Sequence, residues 1–362
     1  GGTAGCTVVS TLAAMTTQPI VLIEPGPSSV HDDEAAFFTV LSDEELSREV
    51  QVTLVDGGSD QPYVQANVLG GGSAINGLLL TGDEPSFLSG LTRMATEADC
   101  GQMATALLAE NGRFCRMWWN GGRWNPGRAV QHLVEEGRVS IVNQDAVLLT
   151  GDSDAVHEVH TEDSVIEAGH VVMCAGAIAT PMLLLSSGMG VVNPQIGVGL
   201  QDHPTVAFTM ARLDSDRGVF DASVHLKGVT NSGGRFIVLA YERVSREVSS
   251  DALITVSLMS PTSRGTISML DGEVSVSMNM LSTQADIDGM RESVRELVRI
   301  CHSTSVQRAT RSIVVDDRGA RLQDLEGLGE RELDQWIRGH LSFVSHASSS
   351  CSSAIDVDGG LR

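Results

Sequence analysis

The amino-acid sequence predicts a mixed α/β (α+β) chain, in which a Rossmann-like dinucleotide-binding domain is interleaved with a second domain built on an antiparallel sheet with helices. Three features carry that expectation. The chain opens on a glycine cluster, GGTAGCTVVSTLAA, which leads through a small apolar stretch into the run Ile20–Ile23. This is the order of glycine turn, helix and second strand in a βαβ unit. The middle of the chain then carries RVSIVNQDAVLLTG, AVHEVHTED and SVIEAGHVVMCAGA, three strand-like runs separated by polar turns. Beyond residue 204, strand patterns such as ALITVSLMSP, GTISML and EVSVSMNML give way to helical patterns around ADIDGMRESVRELVRICHS and ERELDQWIRGHLS. With 362 residues, 42% of them hydrophobic, the chain has the length and core-forming content for two intertwined domains.

Each glycine of the opening has a physical role to fill. In a GxGxxG turn the first glycine makes the bend, the second lets the backbone approach a pyrophosphate, and the third packs helix on strand. Gly2 and Gly5 fit the second and third places, with Gly1 between the first two. A preceding glycine and a preceding strand are therefore expected upstream. Glu24, nineteen positions past Gly5, stands where a carboxylate accepts hydrogen bonds from a ribose diol. Glycine turns without nucleotides share this spacing, so the partial motif leaves both readings open. The string ANVLGGGSAING, residues 66–77, is by itself compatible with a flexible turn.

Charge and cysteine usage narrow the partners. A formal charge of −22 disfavours nucleic-acid phosphates and anionic lipid, both of which attract positive surface. Lys227 is the one lysine among 24 basic residues, a bias that reads as codon usage. Cys6, Cys100, Cys115, Cys174, Cys301 and Cys351 have no CxxC spacing, which suggests neither a metal site nor a disulfide framework and fits a reducing cytoplasm. No apolar run is long enough for a bilayer span. LSDEELSREV, residues 41–50, is expected to be a helix with a serine cap and early acids. Trp118, Trp119 and Trp124 in the 81–138 segment are read either as core or as lining of a substrate pocket.

Five strings together resemble one family. ANVLGGGSAING is similar to the first signature of the glucose-methanol-choline (GMC) flavoprotein oxidoreductases. GAIATPMLLLSSGMG, residues 176–190, resembles the second, with Gly176, Ala177, Thr180, Pro181, Leu183, Leu184, Ser187, Gly188, Met189 and Gly190 each in place. GVGLQDHP, residues 197–204, and PTSRG, residues 261–265, follow in the family's order. In HASSSCSSAIDVDGGLR, His346, Cys351, Asp358, Leu361 and Arg362 fit the histidine stretch and the segment after it. The resemblance runs nearly end to end and implies a family member trimmed at both ends, with a second catalytic His or Asn beyond Arg362.

What the resemblance implies is specific. FAD would be held by Gly2, Gly5, Glu24, Gly71, Gly72, Ser73, Asn76, Gly77, Val147 and Gly176. Val147 would lie near the adenine, although it is equally credible as a core residue. Ile75 cannot form the histidine link that tethers flavin in some relatives, so the FAD is expected to be non-covalent. His346 would be the catalytic base that takes a hydroxyl proton as hydride leaves the carbinol carbon. Ser349 and Ser350 replace the usual Gly and Thr of its loop, which puts the loop's shape in question. His203 reads as a structural residue before a proline, and Cys351 as a packed thiol.

Residues 1–80, 139–204 and 346–362 are expected to form the FAD domain, 81–138 a bridging segment, and 205–345 the substrate domain. The implied activity is oxidation of a small-molecule alcohol, with electrons passed to a quinone, a redox carrier or oxygen. A dehydrogenase is favoured over an oxidase, and the mycofactocin-linked branch is one candidate. The alternatives are a flavin-binding protein without turnover and a hydroxynitrile-lyase-like enzyme on the same fold.

Overall fold

The computed structural model describes residues 1–80, 90–152, 155–213, 223–242, 251–270 and 272–351. Asp358, Leu361 and Arg362 lie outside these residues. The opening folds as its spacing predicts. The helix Thr3–Met15 buries Gly5, Val9 and Ala13 together with Cys6, a stripe repeating every four residues on one helix face. It is followed by the strand Ile20–Ile23, which pairs in parallel with Val139–Val142. The helix Gly127–Glu135 packs beside them, and Cys6, Val9, Leu22, Leu69, Val130 and Val139 form one small core. Leu69 belongs to that core, so the second glycine cluster is anchored on the first.

The first of the three middle runs is divided between two sheets. Val139–Val142 joins Ile20–Ile23, while Ala146–Gly151 begins an antiparallel meander with Val156–Thr161 and Val165–Glu167. The helix Gly176–Ser186 lies against that meander, and Leu149, Val159, Leu183, Leu184 and Ile196 fill the space between.

LSDEELSREV does not form the expected helix. The helix Ala36–Leu41 ends there, and Ser47–Thr53 is a strand paired antiparallel with Asp60–Ala66. The acids at 43–45 hold a turn, in which Asp43 accepts the Glu45 N–H at 2.9 Å. Cross-strand pairing, not helical propensity, decides the segment.

The rest is built on two larger sheets. One has the strand order Val198–Leu200, Gly265–Leu270, Glu273–Ser277, Ser47–Thr53, Asp60–Ala66, and so draws on distant parts of the chain. The other is antiparallel in the order Thr310–Val314, Thr205–Arg212, Asp251–Leu258, Arg235–Tyr241, Val224–Val229, Arg113–Phe114. The helix Gln284–Cys301 crosses the second sheet and buries Met290, Val294, Leu297 and Cys301 against it. Its first-turn Asp286, itself buried, accepts the N–H of Thr262 at 2.8 Å and of Ser263 at 2.7 Å, and this fixes the PTSRG loop. Arg113–Phe114 ties the 81–138 segment to this sheet, while Gly127–Glu135 ties it to the first core. Trp118 and Trp124 stack at 4.8 Å, and Trp118 and Trp119 pack on Leu78, Ala95 and Met117. They serve as a local core.

Candidate active site

Two loops remote in sequence form one cradle. Gly2 caps the helix Thr3–Met15 with extended backbone and no side-chain cap, leaving first-turn N–H groups for a ligand. Gly2 bridges Gly70 in parallel, and the Gly70 N–H donates to the Gly1 carbonyl at 2.8 Å. Gly71 has φ +50°, and a Cβ there would stand 2.7 Å from the Gly2 Cα. Only glycine allows that approach. By contrast, a Cβ on Gly2 or Gly72 would project into open space. Ser73 is buried and shares a hydrogen bond of 2.7 Å with the Thr3 hydroxyl. Gly5 packs as the third glycine of the turn should, since a Cβ there would meet Cys174 Cβ at 3.3 Å.

Glu24 follows the strand Ile20–Ile23, is 5% exposed, and accepts the Gly26 N–H at 2.9 Å. Asn143 braces this turn by donating to the carbonyls of Glu24 and Gly26 at 3.1 and 2.6 Å. Asn76 and Gly77 close the second glycine loop. Asn76 Oδ1 accepts the Leu78 N–H at 3.1 Å, and the guanidinium of Arg123 clasps the Asn76 carbonyl and Oδ1 at 2.7 and 2.8 Å. Arg123 is 4% exposed and its Nε has no hydrogen-bond partner. Burial pulls this guanidinium down to about 10, against the opposing charge of Asp33. Gly176 begins its helix at φ +87°, with open space where a Cβ would be. Val147 is 46% exposed on the strand Ala146–Gly151 and is therefore not a core residue.

His346 lies in a second part of the site. Its loop is sewn to the QDHP segment, because Gln201 and Ser348 exchange backbone hydrogen bonds of 3.0 and 2.9 Å, as do Thr205 and Ser342 at 3.0 and 2.9 Å. Ser350 is buried and its hydroxyl donates to the Ala177 carbonyl, which joins the loop to the helix starting at Gly176. The hydroxyl at this position thus has a structural partner. Ser349 has φ +69°, so the backbone at this position keeps the left-handed geometry that suits the usual glycine. His346, His203, Asp202, Gln201, Ser348 and Arg264 contribute to the wall of a cavity of about 290 Å³. The His346 imidazole is held below its usual pKa, first by burial. Asp202 pulls the other way, and His203 again lowers it.

Residues 142–205 match the GMC oxidoreductase family. Over 208 residues the chain is 25% identical to an uncharacterised GMC-type oxidoreductase from the thcA 5′ region of Rhodococcus erythropolis, a match covering 51% of this chain and 39% of that relative. Over these stretches the chain resembles the GMC oxidoreductases. Its fold is shared with pyridoxine 4-oxidase from Mesorbium loti, at a TM-score of 0.81 and 15% identity over 97% of this chain and 87% of that one. A variant of Aspergillus oryzae formate oxidase, solved to examine FAD modification, superposes at 0.79 with 14% identity over 99% and 88% of the two chains. A fungal aryl-alcohol oxidase does so at 0.70 with 13% identity over 96% and 88%.

The residues of the glycine cradle fit a dinucleotide. The helix N-terminus at Gly2 and the uncovered faces of Gly72 and Gly176 leave room for backbone to approach a pyrophosphate, and the buried Arg123 places positive charge beneath the second loop. Residues that sequence reasoning passed over are Arg123, Tyr63, Asp202 and the cavity-facing role of His203. Only the string QDHP carried a signal for the last two. Tyr63 and Arg123 have none, because their meaning comes from partners 139 and 47 positions away.

Proposed function

We propose that the chain is an FAD-dependent oxidoreductase acting on a CH–OH donor, with His346 as the base. The observation that carries this reading is His346 on the wall of a cavity whose loop is bonded, through Ser350, to the helix that opens at Gly176. Gly2, Gly5, Gly71, Gly72, Ser73, Asn76, Gly77, Gly176 and Val147 would hold the cofactor, with Glu24 on a ribose diol. FAD, when bound, supplies the hydride acceptor. The protein's part is to orient the alcohol in the cavity and to receive its hydroxyl proton at the imidazole of His346. A pKa held below the usual histidine value keeps that imidazole unprotonated near neutrality, as a general base requires.

We further propose that the FAD is non-covalent, since Ile75 offers no linking atom, and that 1–80, 139–204 and 346–362 act as its domain. Acid precipitation of the loaded protein should then release all flavin to the supernatant. A non-oxygen acceptor and a reducing compartment rest on sequence character, while the solved neighbours named above are oxidases. Peroxide release matching the rate of dye reduction would overturn that choice of acceptor. Among the described residues, no helix is long and apolar enough to cross a membrane.

Anaerobic mixing of FAD-loaded protein with a panel of alcohols tests the activity. Bleaching of the flavin, lost in His346→Ala, is the expected result. No bleaching with any alcohol would favour a flavin-binding protein or a lyase instead.

A further inference from the structure

His203 was legible only as a polar residue before a proline. In the fold its ring stands edge-on to that of His346, with centroids 5.5 Å apart and planes at 81°. We propose that His203 is the positioning residue for His346, one imidazole setting the orientation and charge of the other. This rests on the reading of His346 as base.

The pair is constrained from three sides. Asp202, 3% exposed, accepts the His203 N–H at 2.6 Å on Oδ1 and the His346 N–H at 2.8 Å on Oδ2. One buried carboxylate therefore fixes both main chains. The Tyr63 hydroxyl donates to Oδ2 at 3.2 Å and accepts the Ala347 N–H at 3.1 Å, while its ring stacks on Phe343 at 4.7 Å. The paired backbone bonds of Gln201 with Ser348 and Thr205 with Ser342 flank the two histidines. The main chains that carry the two histidines are thereby tied together.

The His203 ring has its own anchor. Nδ1 lies 3.1 Å from the Leu258 carbonyl, an acceptor only, so the proton sits on Nδ1 and the neutral ring keeps its lone pair on Nε2. A flip would forfeit that bond. The titratable and charged groups around His346 are Asp202, Tyr63 and His203, with Arg264 on the cavity wall. Of these, His203 adds to the lowering that burial begins, while Asp202 opposes it. Removing the second imidazole should therefore let His346 take up its proton at higher pH.

The test is nitrogen-15 histidine NMR on FAD-loaded protein, run beside the pH dependence of kcat and KM. In the unmutated protein the ring nitrogen shifts of His346 report its proton uptake across the pH range. In His203→Asn the amide can still donate to Leu258, so the fold and melting temperature should hold. His346 should nevertheless titrate at higher pH, and kcat should fall roughly tenfold at unchanged KM, with the acid limb of the profile moving up alongside. Identical His346 titration in the two proteins, or an unmoved profile, would overturn the proposal. Full activity in His346→Ala would remove the base itself, a failure told apart because the His346 titration would still differ between the unmutated protein and His203→Asn.

Discussion

The backbone N–H of His346 donates to the carboxylate of Asp202 at 2.8 Å, across 144 positions of sequence. With the His203 N–H and the Tyr63 hydroxyl, this carboxylate satisfies three donors while almost wholly buried. Asp202→Asn would turn an NH₂ group toward one of those donors and leave it unpaired. A loss of about 2–3 kcal/mol is expected, measured by denaturant unfolding. Tyr63→Phe removes one donor and leaves the Ala347 N–H without its acceptor, and should cost about 1–2 kcal/mol.

Gly71 and Gly72 are neighbours with different constraints, and alanine at each should separate stability from cofactor binding. At Gly71, φ +50° and the approach of Gly2 make any Cβ strained, so Gly71→Ala should cost about 1–3 kcal/mol and weaken FAD retention. At Gly72 a Cβ meets nothing in the protein. Gly72→Ala should leave unfolding unchanged while raising the FAD dissociation constant at least about tenfold, since a methyl would occupy the space of the approaching pyrophosphate. Flavin fluorescence on dilution reads the second effect. Equal FAD affinity in wild type and Gly72→Ala would sink the cradle assignment.

Ser349 carries a strain that glycine there would not. Its φ of +69° is left-handed, and its hydroxyl accepts from Gln201 Nε2 at 3.0 Å. Ser349→Ala loses that bond and keeps the strain, while Ser349→Gly loses the bond and relieves the strain. The glycine variant should be more stable than the alanine variant by about 1 kcal/mol. The same stability in both would show that the backbone at this position costs nothing.

Acid should destabilise the protein through His225. This residue is 8% exposed, with Nδ1 3.1 Å from the Cys115 thiol. Burial foremost, with the charges of Lys227 and Arg113, holds its imidazole down to about 4. The unfolded chain takes up the proton first, near pH 6.5. Stability present above that pH should therefore fall between about 6.5 and about 4, by up to roughly 3 kcal/mol. His225→Gln should flatten this part of the stability profile, and an unchanged slope in that variant would assign the acid sensitivity elsewhere.

The glycines at 2, 5, 71, 72 and 176, the strand ending before Glu24, and the antiparallel run of strands with its helices after residue 204 were all legible in the linear sequence. Their meaning is local, since a turn needs a residue without Cβ at a given place and a buried strand needs consecutive apolar side chains. The string around His346 also singled that residue out, and the structure puts it on a cavity wall. What only the tertiary structure decided depends on groups distant in the chain. Residues 47–53 became a strand because Asp60–Ala66 and Glu273–Ser277 offer ladder partners, against a local pattern that favours helix. His203 acquired a place beside His346, and Asp202 a role beneath both, because backbone pairing between the 201–205 and 342–348 segments draws the two stretches together. Burial then completes what adjacency begins: the carboxylate of Asp202, removed from water, must be satisfied by donors, and the donors available are the main chains that carry the two histidines and the hydroxyl of Tyr63.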